Sequence, residues 1–365
     1  MKTNKFLTAI VISILIFCQS ISAEEDIIMQ TSDTGRIQPI FKDGKYANRT
    51  PVVKVNSWAA FKSGLMNKTQ TKPKEPLSFD SVVISKAFPE SNEGVHITWL
   101  GHSSFLMQID GVRILLDPVF SDNVSPVPLF SIKRFQKESP VNAEMLPFID
   151  VVFISHSHYD HLNRQAINEL KDKVGFFFAP LGVGNILRSW GVEPTKVREY
   201  EWWQEGVVKG LSGSALRFAC TPAYHFSGRS PFDWNETLWA SWVFIGATQR
   251  VYYSGDTGYD LHFKQIGHHY GPFDLVIMEN GQYNVNWPSS HITPEEGVKA
   301  HLELKGKYLI PMHWATFSLS SHTWQEPGER ISKEAAAKGV KLLTPRVGQT
   351  LSIDKDEPKT DAWWR

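Results

Sequence analysis

Residues 154–163 read Ile-Ser-His-Ser-His-Tyr-Asp-His-Leu-Asn, so His156, His158, Asp160 and His161 place three imidazoles and a carboxylate on one short stretch. Neutral imidazoles and ionised carboxylates are the donors that zinc and similar divalent ions take, in four- or five-coordinate shells built from a few segments. On an extended loop His156 and His158 point to one side. Asp160 and His161 follow at the turn into a helix, where they can face a neighbouring ion. Two ions ~3.5–4 Å apart are the natural outcome of such an arrangement. A lone histidine pair would read as a solvated loop. Four donors spaced His-x-His-x-Asp-His directly behind an apolar strand read as a metal site.

The flanking residues supply the elements that must hold those donors. Asp150–Ser155 is a short continuous apolar run, as expected of a strand buried on both faces. Arg164–Leu170 has helical character and Val174–Ala179 is a second buried strand. Strand, functional loop, helix and strand is the texture of layered α/β (α+β) proteins, in which ligands gather beyond the carboxyl ends of strands. Upstream, Val95–Pro118 contains two branched and aromatic runs joined by Ile109-Asp110-Gly111, a β-hairpin pattern. Downstream, strands are expected near Leu216–Cys220, Ala240–Ile245, Val251–Ser254, Leu275–Met278 and Tyr308–Pro311, with helices over Pro294–Leu304 and Gly328–Lys338. The absence of a short-period repeat argues against a solenoid or propeller.

The His-x-His-x-Asp-His motif resembles that of the metallo-β-lactamase superfamily, which implies a four-layer αββα sandwich with metals at one edge of its two sheets. That resemblance demands three further ligands after later strands. His225 in Thr221-Pro222-Ala223-Tyr224-His225, Asp256 in Ser254-Gly255-Asp256-Thr257-Gly258 and His313 in Pro311-Met312-His313-Trp314 meet the demand. It implies His156, His158 and His225 around one ion, Asp160, His161 and His313 around the other, and Asp256 bridging two Zn2+ ions. Trp99-Leu100-Gly101-His102, Leu116-Asp117-Pro118, Lys133-Arg134-Phe135, Leu238-Trp239-Ala240-Ser241-Trp242, Gly271-Pro272-Phe273-Asp274, Thr293-Pro294-Glu295-Glu296 and His313-Trp314-Ala315-Thr316-Phe317 resemble the N-acylphosphatidylethanolamine-hydrolysing phospholipase D branch. This closer resemblance spans Val95 to Phe317.

A zinc-dependent phosphodiesterase of phospholipase D type is what the resemblance implies, with hydroxide held between the metals as nucleophile. Asp160 gains a second task, orienting the water. His291 aligns with a histidine near the family active site and could donate to a phosphate oxygen or leaving group; its competing reading is loop structure before Pro294. His102 reads either as an outer partner of a ligand carboxylate or as a polar loop residue. His268 and His269 read as surface residues, and Trp287 and Trp314 as a wall of the substrate pocket. One departure from the branch is Glu279-Asn280-Gly281-Gln282-Tyr283, where an apolar-Gly-Ala-Tyr turn is usual. A lactonase or other ester/amide metallohydrolase, a mononuclear iron oxidoreductase and a non-catalytic metal-binding protein are the rival readings on the same fold.

Composition bounds the rest. The 38 basic and 38 acidic residues cancel, so no overall field favours nucleic acid or an anionic membrane. The expected partner is a small-molecule or phospholipid substrate, with peripheral membrane contact and a homodimer left open. A lysine-bearing start, an apolar stretch from Phe6 to Phe17 and Ile21-Ser22-Ala23 form the layout of a cleaved signal peptide over 1–23. An uncleaved anchor needs ~20 apolar residues, more than this run offers. The Phe17 side chain is too bulky for a lipoprotein site at Cys18. Export to the periplasm or medium follows, leaving Cys220 as the single cysteine of the mature chain and no internal disulfide. Residues 24–93 read as a polar extension packing on a domain over 94–365, with one short helix around Ser57–Leu65.

Overall fold

The computed structural model describes residues 24–28, 35–51, 70–91, 93–125, 131–353 and 357–365. Segment 1–23 and the helix expected around Ser57–Leu65 lie outside the described residues. The chain enters through β1 (Glu24–Ile28), the small hairpin β2 (Ile40–Lys42) and β3 (Lys45–Ala47), and the turn of helix α1 (Ile84–Ala87). Then come β4 (Val95–Gly101), β5 (Ser104–Ile109), β6 (Val112–Leu116), β7 (Ile149–Phe153), α2 (Arg164–Leu170), β8 (Val174–Pro180), α3 (Val183–Ser189) and β9 (Val197–Tyr200). The second half supplies β10 (Glu205–Lys209), β11 (Ala215–Thr221), β12 (Ser241–Ile245), β13 (Arg250–Tyr253), α4 (His262–His269) and β14 (Phe273–Glu279). It closes with α5 (Pro294–Glu303), β15 (Gly306–Met312), α6 (Glu326–Lys338), β16 (Lys341–Leu342) and β17 (Thr350–Ile353).

These strands form two mixed sheets, β17-β4-β5-β6-β7-β8-β9 and β1-β10-β11-β12-β13-β14-β15-β16. The parallel pairs β6–β7–β8 and β13–β14–β15 lie mid-sheet, where strands are covered on both faces and can be apolar throughout. Alternation sorts their side chains between two cores. Val151 and Phe153 of β7, and Phe176 and Phe178 of β8, enter the core between the sheets. Their neighbours Val152 and Phe177 join Ile167 and Leu170 of α2 and Leu187 of α3 in an outer core. Phe263 of α4, Val298 of α5 and Ile331 of α6 cover the other sheet. The layers are therefore helix, sheet, sheet, helix. Phe153 lies at the centre, its ring 4.9–5.3 Å from those of Phe178, Phe218, Trp242 and Phe244.

Several expectations need correction. Val95–Pro118 holds three strands rather than two, because Gly101 (φ +95°) and His102 (φ +52°) turn the first apolar run back on itself. The Asp110-Gly111 turn is where the sequence places it, with both residues at positive φ as a two-residue hairpin loop requires. Residues of the stretch expected to be irregular form β1, which pairs antiparallel with β10 from Glu24↔Lys209 to Ile28↔Glu205. Helix α3 and strands β9, β10 and β17 are too short to stand out in the sequence, β17 despite its alternation of Thr350, Leu351, Ser352 and Ile353, and α3 also lacks a side-chain cap. Among the described residues no helix is long and apolar enough to cross a membrane.

Candidate metal centre

The sequence cluster leaves the carboxyl end of β7, and three strands of the facing sheet deliver the other donors. His225 follows β11, Asp256 follows β13 and His313 follows β15. The Asn163 side chain accepts the Ala166 N–H at 3.0 Å and so starts α2 directly behind the cluster. Such a cap contributes ~1 kcal/mol and fixes where the donor loop stops. A capping box between Thr293 and Glu296, with Pro294 at the first turn, likewise fixes the start of α5 just after His291.

The structure brings all the expected donors to one place. His156 Nε2 and His225 Nε2 lie 2.8 and 3.3 Å from His158 Nδ1, and each is 3.8 Å from Asp256 Oδ2. On the other side, Asp160 Oδ2 is 3.7 Å from His161 Nε2 and 3.3 Å from His313 Nε2. Asp256 turns Oδ1 to His161 Nε2 and Oδ2 to His313 Nε2, 3.1 Å in each case. The ligating atoms of His156, His158, His225 and Asp256 lie within 4.8 Å of one another, as do those of His102, Asp160, His161 and His313. Asp256 thus faces both sets, as the resemblance demands.

The far nitrogens of the rings are tied down. His225 Nδ1–H donates to the Ser290 carbonyl at 2.8 Å, and His161 Nδ1 meets Asp117 Oδ2 at 2.7 Å. Ser155 Oγ is 2.9 Å from His156 Nδ1. These partners leave Nε2 of each ring for the centre, the arrangement that fixes tautomer and orientation in metal sites. His102 Nε2 lies 2.8 Å from Asp160 Oδ2, so His102 is the partner of a donor carboxylate rather than a generic loop residue.

Charge is distributed unevenly. Burial pulls His158 down to about 4, and burial together with His313 pulls His102 down to about 3. Burial, reinforced by His161 and His158 in one case and His158 and His291 in the other, puts His156 and His225 well below the ordinary range. Burial also opposes charge on His161, yet Asp256 and Asp160 outweigh it and hold His161 at about 10. His313 is raised well above its ordinary value in the same way, against burial, by Asp256 and Asp160. Burial would raise both carboxyls, but His161, with His102 and His313 for Asp160 and with His313 for Asp256, holds them well below the usual range. His161 Nε2 and Asp256 Oδ1 are buried without a hydrogen bond. A buried polar atom left so is costly, and a divalent cation accepted by both would satisfy them. The donor set fits a metal.

Two carboxylates outside the expected ligand set belong to this centre. Asp117, fully buried after β6, accepts from the Ser155 N–H (2.7 Å), Tyr253 Oη (2.6 Å) and His161. The Leu-Asp-Pro motif at a strand end was its signal. Glu279, also fully buried, touches His291 Nδ1 and lies 3.3 Å from His313 Nδ1. Its signal was the departure at Glu279–Tyr283.

His291 borders a cavity of about 470 Å³ whose wall includes Tyr283, Asn284, Pro288, His322 and Arg330. Asp160 and His291 keep 14 % exposure, against 2 % or less for His156, His161, His225, Asp256 and His313. Asp160 and His291 therefore stand where a substrate would meet the centre. The expected tryptophan wall is not found. Trp314 is buried against Trp99 and Trp364, and Trp287 is half-buried with its indole N–H donated to the Gln282 carbonyl. His268 and His269 end α4, away from this cluster.

A model of the beta-lactamase superfamily domain matches residues 112–314, the span that carries every donor of the cluster after His102. The chain belongs to the metallo-β-lactamase superfamily. As a member it is a metal-dependent hydrolase with that superfamily's fold. It is 38% identical over 344 residues to an uncharacterized protein of Mycobacterium tuberculosis, covering 90% of this chain and 87% of that one. It is 33% identical over 279 residues to N-acyl-phosphatidylethanolamine-hydrolyzing phospholipase D 1 of Caenorhabditis elegans, covering 71% of this chain and 77% of that one. A metallo hydrolase from Ignicoccus hospitalis shares the fold at 22% identity and TM-score 0.53, covering 72% of this chain and 100% of the other.

Proposed function

We propose that this protein is a dinuclear zinc phosphodiesterase of phospholipase D type, acting on N-acylphosphatidylethanolamine-like phospholipids. The observation that carries the proposal is the pair of donor sets sharing Asp256, with His156, His158 and His225 on one side and Asp160, His161 and His313 on the other. The similarity to the nematode phospholipase supports the choice of substrate. Residues 1–23 support export of the enzyme as part of the same reading.

Zinc ions in these sets would lower the pKa of a water and neutralise charge developing on phosphoryl oxygens. The chain's own residues do the rest. Asp160, held by His102, orients the attacking water, whose proton passes to solvent as the new P–O bond forms. His291 has Nδ1 engaged by Glu279, so Nε2 is the nitrogen available to the cavity. Nε2 takes up a proton from solvent in the cavity, and the resulting imidazolium, its Nδ1–H still on Glu279, gives that proton to the departing alcohol oxygen as the old P–O bond breaks.

Elemental analysis of the purified protein, together with a panel of phospholipids, simple phosphodiesters and lactones, tests this reading. About two zincs per chain are expected. Cleavage of the N-acylated phospholipid should fall at least ~100-fold in Asp160→Asn. Turnover of lactones alone would replace the phosphodiesterase by the ester hydrolase reading. A single redox-active iron, or zinc without turnover, would sink the proposal.

A further inference from the structure

Glu279 ends β14 with its carboxylate out of solvent and every contact of that carboxylate directed at the metal centre. Oε1 meets His291 Nδ1 and lies 3.3 Å from His313 Nδ1, while Oε2 accepts the Thr257 N–H at 2.6 Å. Thr257 directly follows Asp256. One side chain therefore touches the ring beside the cavity, a donor histidine, and the backbone next to the carboxylate shared by both donor sets.

The chemistry of these contacts is specific to a carboxylate. The backbone N–H can only donate, so Oε2 must accept. His291 can present Nδ1–H only to an acceptor, so Oε1 must accept as well. A carboxylate offers two acceptor oxygens, whereas an amide offers one oxygen and one donor group. An amide that keeps the Thr257 bond turns its NH2 toward His291, so Nδ1 must act as acceptor, the single proton sits on Nε2, and the ring cannot become the imidazolium that gives a proton up. Exchange of carboxylate for amide behind an imidazole is known to trap the wrong tautomer without disturbing geometry.

We propose that Glu279 is a positioning residue that holds His291 with Nδ1–H inward and Nε2 toward the cavity, in step with His313. The proposal rests on the hydrolase reading above, in which His291 serves the leaving group. The ligand His161 has its own carboxylate, Asp117, hydrogen-bonded behind it, and Glu279 occupies the corresponding place behind His313 at an ion-pair distance of 3.3 Å. Its contact with His291, which is in neither set assigned to zinc although its ring nitrogen lies within 4.8 Å of donor atoms of Asp256, Glu279 and His313, is what such a device for ligands alone would not need.

Glu279→Gln keeps the size and shape of the side chain and is the deciding variant. In the zinc-loaded protein, nitrogen NMR of the histidine rings should show His291 protonated at Nδ1, and in Glu279→Gln at Nε2. Hydrolysis at saturating zinc should fall ~100-fold for a diester with an alkyl leaving group, which needs a proton. It should change little for a 4-nitrophenyl leaving group, which does not. His291→Ala should show the same selectivity, and the double variant should be no worse than either single one. Zinc affinity, read by chelator competition, should drop ~10-fold in Glu279→Gln through His313 and stay unchanged in His291→Ala.

An unchanged His291 tautomer in Glu279→Gln, or equal losses on both diesters, would overturn the proposal. If wild type cleaves neither diester, the phosphodiesterase reading fails, and the tautomer measurement still decides the role of Glu279.

Discussion

His161 and His313 are the two imidazoles that the carboxylates of the centre hold in the protonated form, His161 with a pKa of about 10 and His313 well above its ordinary value. A divalent ion requires the neutral ring, so it must expel those protons. Protons and metal compete, and the competition weakens as pH rises toward the raised values. Zinc loading near pH 7 should therefore release about two protons per chain and tighten with increasing pH. Calorimetry in buffers of different ionisation enthalpy reads the released protons directly. A heat independent of buffer would mean that the rings are neutral before metal arrives. The same two histidines show how differently donors announce themselves. His161 sits in a dense motif, whereas His313 stands alone after a strand and is assigned only because the resemblance calls for a ligand there.

The loops beyond the strand ends are shaped by backbone as much as by donors. His102 (φ +52°) and His313 (φ +67°) are both left-handed and adjacent, the His313 N–H donating to the His102 carbonyl at 3.0 Å. Such strained positions persist where the surroundings over-determine them. Gly281 is one of those surroundings: a Cβ there would collide with the His313 carbonyl oxygen and press on Trp314 Cβ at 3.2 Å. Gly281→Ala should cost ~1–3 kcal/mol and lower zinc retention at the His313 set. Gly213→Ala, at φ +81° with open space around it, should strain the backbone and leave zinc untouched. Thermal unfolding and metal analysis of the two variants separate the effects. Strands such as β7 and β14 are readable in sequence because burial on both faces leaves each an apolar run, Val151–Phe153 and Leu275–Met278. β9, β10 and α3 are not, since partial exposure and short length leave neither a run nor a period. The turn that divides β4 from β5 is hidden for another reason, a histidine occupying a conformation usually left to glycine.

The donors come from both halves of the sandwich: His156, His158, Asp160 and His161 from the sheet of β7, and His225, Asp256 and His313 from the facing sheet. Sequence alone could name the first group as one cluster, but it could not show that Asp117 stands behind His161 or Glu279 behind His291 and His313, because those contacts join separate segments and exist only once each sheet has paired its strands. Chelation of the zinc proposed here should lower the unfolding temperature, since saturation at ~1,000 times Kd is worth about 4 kcal/mol. Hydrogen exchange should locate the change in the loops after β7, β11 and β15, with the Phe153 neighbourhood still protected. Exchange that rises uniformly would place the metal's contribution elsewhere. Among the described residues the one cysteine, Cys220, is buried and unpaired, so no covalent bridge spans the two sheets. A metal pair gripping both would act as a removable clasp on one margin of the sandwich. Starved of zinc, the protein would keep its architecture with that margin ajar, which makes metal supply a control on its lifetime toward proteases as well as on its turnover.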